Sequence, residues 1–300
     1  MKGVRSAQLP QWQADLALVG VTMIWGSTFV VVKQALDSVG PLVFVATRFW
    51  IAALALLVLH LARRQPAGSR VWRDGGVTGL FLTLGFVTQT VGLQTTAAGK
   101  AAFITGLSVV LVPLMAAALF GARPSRPALV GVTLAAVGLG LLTLDRHLRP
   151  TRGDLWVLGC AVAFALHILS TGYFTERHAV LPFTLAQLLT VAALTTAAAL
   201  IFERRRLLPS PDMLPAALYM GLVATALIFS TQTWAQRHTT STHTALIFSL
   251  EPVFAAMFAA LFADEMLTVR EGLGGALVLS GMLSAELGEA ILHPLTRRKP

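Results

Sequence analysis

Chemistry-bearing side chains stand inside long apolar stretches of this chain. Glu251 lies between Leu250 and Pro252, His167 follows Phe164 by one helical turn, and Gln89 and Gln232 each sit between two threonines. Arg48 precedes Phe49 and Trp50, and Lys33 lies near the end of an apolar run. An ionisable group at membrane depth is costly and usually faces a cavity or a partner. Glu251 therefore reads as a contact for a cationic group or as a proton carrier, or else as a structural pair with a buried hydroxyl or base. His167 can exchange a proton or donate to a solute, or bond a neighbouring helix. Lys33 can extend its head to the interface. For Arg48 the favoured reading is a structural clamp onto a carboxylate or a helix terminus, and the alternative is capture of a substrate carboxylate. An amide offers donors and an acceptor together, so Gln89 and Gln232 suit a zwitterionic or hydroxylated solute. The expected solute contacts are thus Gln89, His167, Gln232 and Glu251, with the hydroxyls of Thr28 and Thr231 and apolar walls from Trp25 and Phe103. Glu251 and His167 are the candidates for proton coupling.

These residues need elements that cross a bilayer. Hydrophobic residues make up 55% of the chain and charged ones 12%, about half the charge of an ordinary soluble domain. Ten apolar stretches, each near the roughly 20 residues that span hydrocarbon, fall at about 16–36, 42–61, 75–93, 101–120, 128–144, 154–173, 183–202, 216–236, 244–262 and 272–290. Lipid offers the backbone no partners, and the stretches lack the alternation of barrel strands, so they should be helices. Pro41, Pro127, Pro182 and Pro215 fall near helix starts, where a missing N–H costs little. Pro252 is expected to free the Phe248 carbonyl and kink the ninth span. The first span is too long for a signal-peptide core.

The net charge of +9 flanks the spans and forms no compact patch, which argues against nucleic acid as a partner. Ten spans place both termini on one side. That side holds Lys2, Arg5, Arg63, Arg64, Arg70, Arg73, Arg123, Arg126, Arg177, Arg237, Arg297, Arg298 and Lys299. The opposite side holds Lys100, Arg146, Arg149, Arg152, Arg204, Arg205, Arg206 and Arg270. The excess predicts cytoplasmic termini. Cys160 has no second cysteine and no metal-ligand company, so neither a disulfide nor a metal site is expected.

The chain carries one pattern twice. Residues 78–138 overlay 221–281 without a gap at an offset of 143, with about a quarter of positions identical. Thr88-Gln89-Thr90 falls on Thr231-Gln232-Thr233, and Gly131 and Gly138 fall on Gly274 and Gly281. Asp15-Leu16 and Gly20 resemble Asp154-Leu155 and Gly159 at an offset of 139. Five helices per copy, divided as 1–147 and 148–300, would invert the second copy in the membrane. Inverted repeats place a substrate site near the midplane, at their interface. The paired glycines read as close-packing devices.

Trp25-Gly26-Ser27-Thr28-Phe29, Arg48, and Leu250-Glu251-Pro252-Val253 through Glu265 and Gly274 resemble the EamA-type branch of the drug/metabolite transporter superfamily. The resemblance covers nearly the whole chain. It implies an inner-membrane carrier of small metabolites, often an exporter of amino acids or related compounds, with the solute path between spans 1–4 and 6–9. The first copy departs from the second. Ser108-Val109 replaces Glu251-Pro252, Ala122 replaces Glu265, and the proline comes later, at Pro113. The two halves of the cavity should therefore differ in chemistry.

The expectation is an all-α membrane protein acting as a secondary transporter by alternating access, with no cofactor. No GxxxxGK[ST] sequence points to ATP. A channel or membrane sensor is the alternative. An intramembrane enzyme is less expected, because no nucleophile–base pair or ligand cluster stands out. Expected partners are a small-molecule solute, membrane lipids and, as an option, a second copy in a homodimer.

Overall fold

Prolines and side-chain caps set where the helices begin. In the computed structural model, which describes residues 10–36, 39–96, 98–121, 124–143, 151–203, 214–262 and 268–296, Pro41 is the first residue of its helix, and Pro127, Pro182 and Pro215 fall within the first three residues of theirs. Glu265 and most of the loop charges lie outside the described residues, as do the side chains of Lys33 and Lys100.

The described residues contain helices and no strand. They run α1 Gln11–Leu36, α2 Pro41–Arg63, α3 Ser69–Leu93, α4 Ala98–Gly106, α5 Ser108–Phe120, α6 Arg126–Thr143, α7 Arg152–Thr175 and α8 Val180–Phe202. Then α9, Leu214–Leu218, continues through a π-helical segment, Tyr219–Leu227, into α10, Ile228–Ala235. The chain ends with α11 Ser241–Phe248, α12 Glu251–Phe262 and α13 Val269–Thr296. The expected apolar stretches are helical among the described residues, apart from the breaks at Leu107 and at Ser249–Leu250, and the end of the fifth, at residue 144, lies outside them. Among the described residues, six helical stretches are long and apolar enough to cross a membrane: α2, α3, Ala101–Phe120, α7, α8 and Leu214–Ala235.

Several ends are capped from within. Thr151 and Asp154 form a capping box at the start of α7. The Leu42 and Val43 amides both donate to Glu203, each at 3.0 Å, so the end of α8 ties down the start of α2. Such contacts satisfy N–H groups that have no partner in their own helix.

The ninth stretch breaks between Phe248 and Glu251, as Pro252 led one to expect. The fourth stretch breaks at Leu107, between α4 and α5. Leu107 is the repeat counterpart of Leu250, yet Val109 stands where the second copy has Pro252. Pro113, the only proline there, lies inside an unbroken α5. The break is thus a property of the position in both copies, and proline is not its sole cause.

Glycines set the tightest seams. A Cβ at Gly131 would stand 2.6 Å from the Gly281 carbonyl oxygen, and a Cβ at Gly138 would stand 2.6 Å from that of Gly274. α6 and α13 therefore run antiparallel. On α3, Gly92 abuts Val157 and Gly153, while Gly75 and Gly79 abut α8 at Ala186 and Gln187. Phe49, Leu82, Leu185 and Leu188 fill the space between α2, α3 and α8.

The outer surface is apolar. Leu61, Leu155 and Phe202 are 65%, 73% and 77% exposed. Water would penalise such a surface, whereas lipid tails match it.

Candidate functional site

The two helix breaks, α4, α10, the middles of α1 and α7, the first turns of α2 and the second half of α3 line a cavity of about 180 Å³. That is room for on the order of a dozen waters, a space for a small solute. Its apolar wall is built from Trp25, Phe44, Phe86, Phe164, Phe229 and Phe248. Trp25 meets Phe248 edge-on at 5.1 Å, and Phe86 meets Phe164 at 5.5 Å. Phe86 and Phe229 are repeat counterparts and face each other at 6.3 Å. Gln89 and Gln232, a second matched pair, both line the cavity.

Arg48 is 5% exposed and lies against the rings of Phe86 and Phe49 at 5.2 and 5.6 Å. Its Nε donates to Thr225 Oγ1 at 2.9 Å and its Nη2 donates to the Ala224 carbonyl at 3.0 Å. The Trp25 indole donates to the same carbonyl at 3.3 Å. Arg48 is thus bonded to the wide turn of the π segment. This corrects the expectation of a carboxylate or a helix terminus. Propagated i→i+5 bonding opens the helix, and one indole and two guanidinium donors hold the opened turn.

Two amide relays have a fixed polarity. Gln236 Nε2 donates to the Ile168 carbonyl at 2.9 Å, so its oxygen must accept from Gln232 Nε2 at 3.1 Å. Gln232 Oε1 is left buried without a partner. Gln187 Nε2 lies 3.4 Å from the Phe183 carbonyl, so its Oε1 faces His167 Nε2 at 2.9 Å. His167 must then carry its proton on Nε2, and Nδ1 is a bare acceptor. Among the described residues, the Glu251 carboxylate has no hydrogen-bond partner. Gln89 Nε2 reaches only Thr105 Oγ1, at 3.5 Å.

The expected contacts Trp25, Thr28, Gln89, His167, Gln232 and Glu251 all line this one cavity, as does Arg48. Phe103 does not. It packs against an apolar cluster that includes Val109, Leu139 and Val278. Thr231 does not either, because one residue along a helix is a turn of about 100° from Gln232. Phe44, Phe86, Phe248 and Gln187 went unread in the sequence, since an aromatic or amide in an apolar stretch carries no local mark of which way it faces.

The lining extends toward the end of the bundle where α2 begins and α3 ends, at Phe44, Val45 and Leu93. The other end carries a polar closure. Asp74 on α3 pairs with His178 at 2.7 Å and with Arg73 at 2.9 Å. Arg237 donates to the Thr175 carbonyl at 2.9 Å and to the His178 carbonyl. Thr175 donates to the Thr233 carbonyl at 2.7 Å. Partial burial among these carbonyls holds the Arg237 guanidinium below the usual arginine range.

Residues 12–144 match the EamA-like transporter family, and residues 151–285 match it again. The chain belongs to that family. This EamA-like transporter is 32% identical to an uncharacterized transporter of Archaeoglobus fulgidus over 91% of the chain and 86% of that relative. It is 22% identical to the uncharacterized inner membrane transporter YedA of Escherichia coli K12, over 91% of the chain and 90% of YedA. It is 24% identical to a probable amino-acid metabolite efflux pump of the same strain, over 89% of the chain and 92% of the pump. A solved crystal structure overlays it with a TM-score of 0.78 at 20% identity, covering 92% of this chain and 98% of that one. That likeness is one of fold. The transporter is embedded in a membrane and takes a small-molecule substrate.

Proposed function

We propose that this EamA-like transporter is a secondary carrier that moves a small amphipathic metabolite, an amino acid or related compound, by alternating access and in the direction of export. Ten helices form two inverted five-helix repeats, 1–147 and 148–300, in the plasma membrane with both termini cytoplasmic. One observation carries the reading. A cavity lined by repeat-matched pairs, Phe86 with Phe229 and Gln89 with Gln232, extends toward one end of the bundle, while polar pairs close the other. Inverted repeats expose such a midplane site to alternate sides by rocking one bundle against the other. Trp25, Thr28, Gln89, His167, Gln232 and Glu251 contact the solute, and Glu251 and His167 are the groups for proton coupling. Arg48 holds the π turn on which Phe229 and Gln232 depend.

The test is reconstitution in liposomes with a panel of labelled amino acids and their derivatives. Saturable uptake that accelerates with unlabelled solute on the far side is expected. Flux that never saturates means a channel. Glu251→Gln should abolish this exchange while the protein still elutes as a folded species. Normal exchange in that variant removes Glu251 from the site.

A further inference from the structure

Hydrogen-bond accounting narrows the solute. The indole N–H of Trp25 is spent on Ala224. The hydroxyls of Thr28, Thr90 and Ser249 donate to carbonyls of their own helices, at 2.7, 2.6 and 2.6 Å. Gln232 Nε2 gives one of its two hydrogens to Gln236, and Arg48 gives Nε and one hydrogen of Nη2 to the π segment, keeping Nη1. Gln89 Nε2, 3.5 Å from Thr105 Oγ1, keeps donor capacity as well. Among the described residues three acceptors, by contrast, have no donor at all. Gln232 Oε1 is buried and empty, the relay through Gln187 leaves His167 Nδ1 bare, and the Glu251 carboxylate has no partner among the described residues.

We infer that the obligatory feature of the solute is a donor-rich ammonium group on an apolar body, and that a carboxylate is dispensable. Buried acceptors left unpaired cost free energy that N–H donors recover. Six aromatic side chains around them favour a cation through ring faces. The inference rests on transport through this cavity and names what the cavity recognises. The probes are phenethylamine, phenylalaninamide, phenylalanine and 3-phenylpropionate, read by thermal shift in detergent. The amine and the amide should bind at least as tightly as the free amino acid, and the acid should not bind. Glu251→Gln should weaken the amine on the order of tenfold to a hundredfold, and Gln232→Leu should weaken it less. Binding of phenylalanine without binding of its amide would mean that Arg48 Nη1 reads a carboxylate, and the inference falls. No response to either amine also overturns it. An amine that binds but gives no flux in liposomes defeats the transport reading alone.

A second observation stands apart from the cavity. Thr96 donates to Asp154 at 3.0 Å, joining the end of α3 to the start of α7. The repeat offsets map Thr96 onto Thr239 and Asp154 onto Asp15. Asp15 is 7% exposed, and both its oxygens are buried without a partner, as is Thr239 Oγ1. We propose that Asp15 and Thr239 pair in the opposite-facing state, when Thr96 and Asp154 part. Each pair then latches one state. The test uses a Thr90→Cys reporter on the cavity wall in a Cys160→Ser background, labelled with a membrane-impermeant maleimide. Thr96→Val should lower labelling and Asp15→Asn should raise it, each several-fold. Shifts in the same direction, or no shift in folded protein, would reject the paired latches. The swap Thr239→Asp with Asp15→Thr should return labelling to the parent level, and failure to do so counts against them as well.

Discussion

Gly131 lies against the carbonyl of Gly281, and the sequence counterpart of Gly281 is Gly138. Gly138 in turn lies against Gly274, the counterpart of Gly131. Contacts that cross over between equivalent positions are the mark of a two-fold relation, here between α6 and α13. Gly131→Ala and Gly281→Ala should each destabilise the protein by about 1–3 kcal/mol through overpacking. Gly20→Ala has nothing within 4 Å and should be neutral or stabilising by up to about 1 kcal/mol. Thermal melts in detergent compare the three.

Arg48→Lys keeps the charge and loses the planar fork that reaches Thr225 and Ala224 together. A loss of about 1.5–3 kcal/mol is expected, with loss of transport. Trp25→Phe removes one donor from Ala224 and should cost about 1 kcal/mol. Because both side chains use the same carbonyl, the double variant should be non-additive by about 0.5 kcal/mol or more. Strict additivity would mean that the π turn is held by other contacts.

Asp74→Asn should weaken the polar closure by about 1.5–3 kcal/mol, because it removes the charge from a short bond to His178. A Thr233→Cys reporter, buried beneath that closure, should label faster with an impermeant maleimide in the Asp74→Asn background. Exchanging the partners, Asp74→His with His178→Asp, should slow it again. Unchanged labelling would make the pair a fixed strut.

Gly85→Ala tests the cavity wall. The added methyl would collide with the Phe164 ring, which is the movable end of a side chain. The ring should shift toward the cavity, raising the half-saturating solute concentration several-fold with little change in melting temperature. A large fall in melting temperature instead would show that Phe164 cannot yield.

The helices and the duplication were legible because lipid forbids unpaired backbone and because Thr-Gln-Thr and the glycine pairs recur in register. Gln89, His167, Gln232 and Glu251 were legible for the same reason, since polar groups stand out against Leu and Ala. The partners that orient them were not. Gln187 and Gln236 act through which atom faces a backbone carbonyl, and composition carries no trace of that. Phe103 and Thr231 were misplaced because a neighbour in sequence points about 100° away on a helix. Asp74, His178 and Arg237 had no joint signature, as they come from three separate parts of the chain. The π segment had none either. Its residues are ordinary helix formers, and its shape depends on Arg48 and Trp25 reaching in from other helices.

The π stretch Tyr219–Leu227 carries more chain per turn than the α-helical parts on either side. Removing one residue within it would let the backbone relax to ordinary winding without breaking the rod, and the tighter winding would take up most of the residue lost, so Phe229 and Gln232 would stay near the lining. The wide turn that presents Ala224 and Thr225 to Trp25 and Arg48 would be gone. A shortened chain of this kind should insert, melt earlier than its parent and carry little. Length in this one stretch is therefore a functional parameter in its own right, separate from which side chains occupy it.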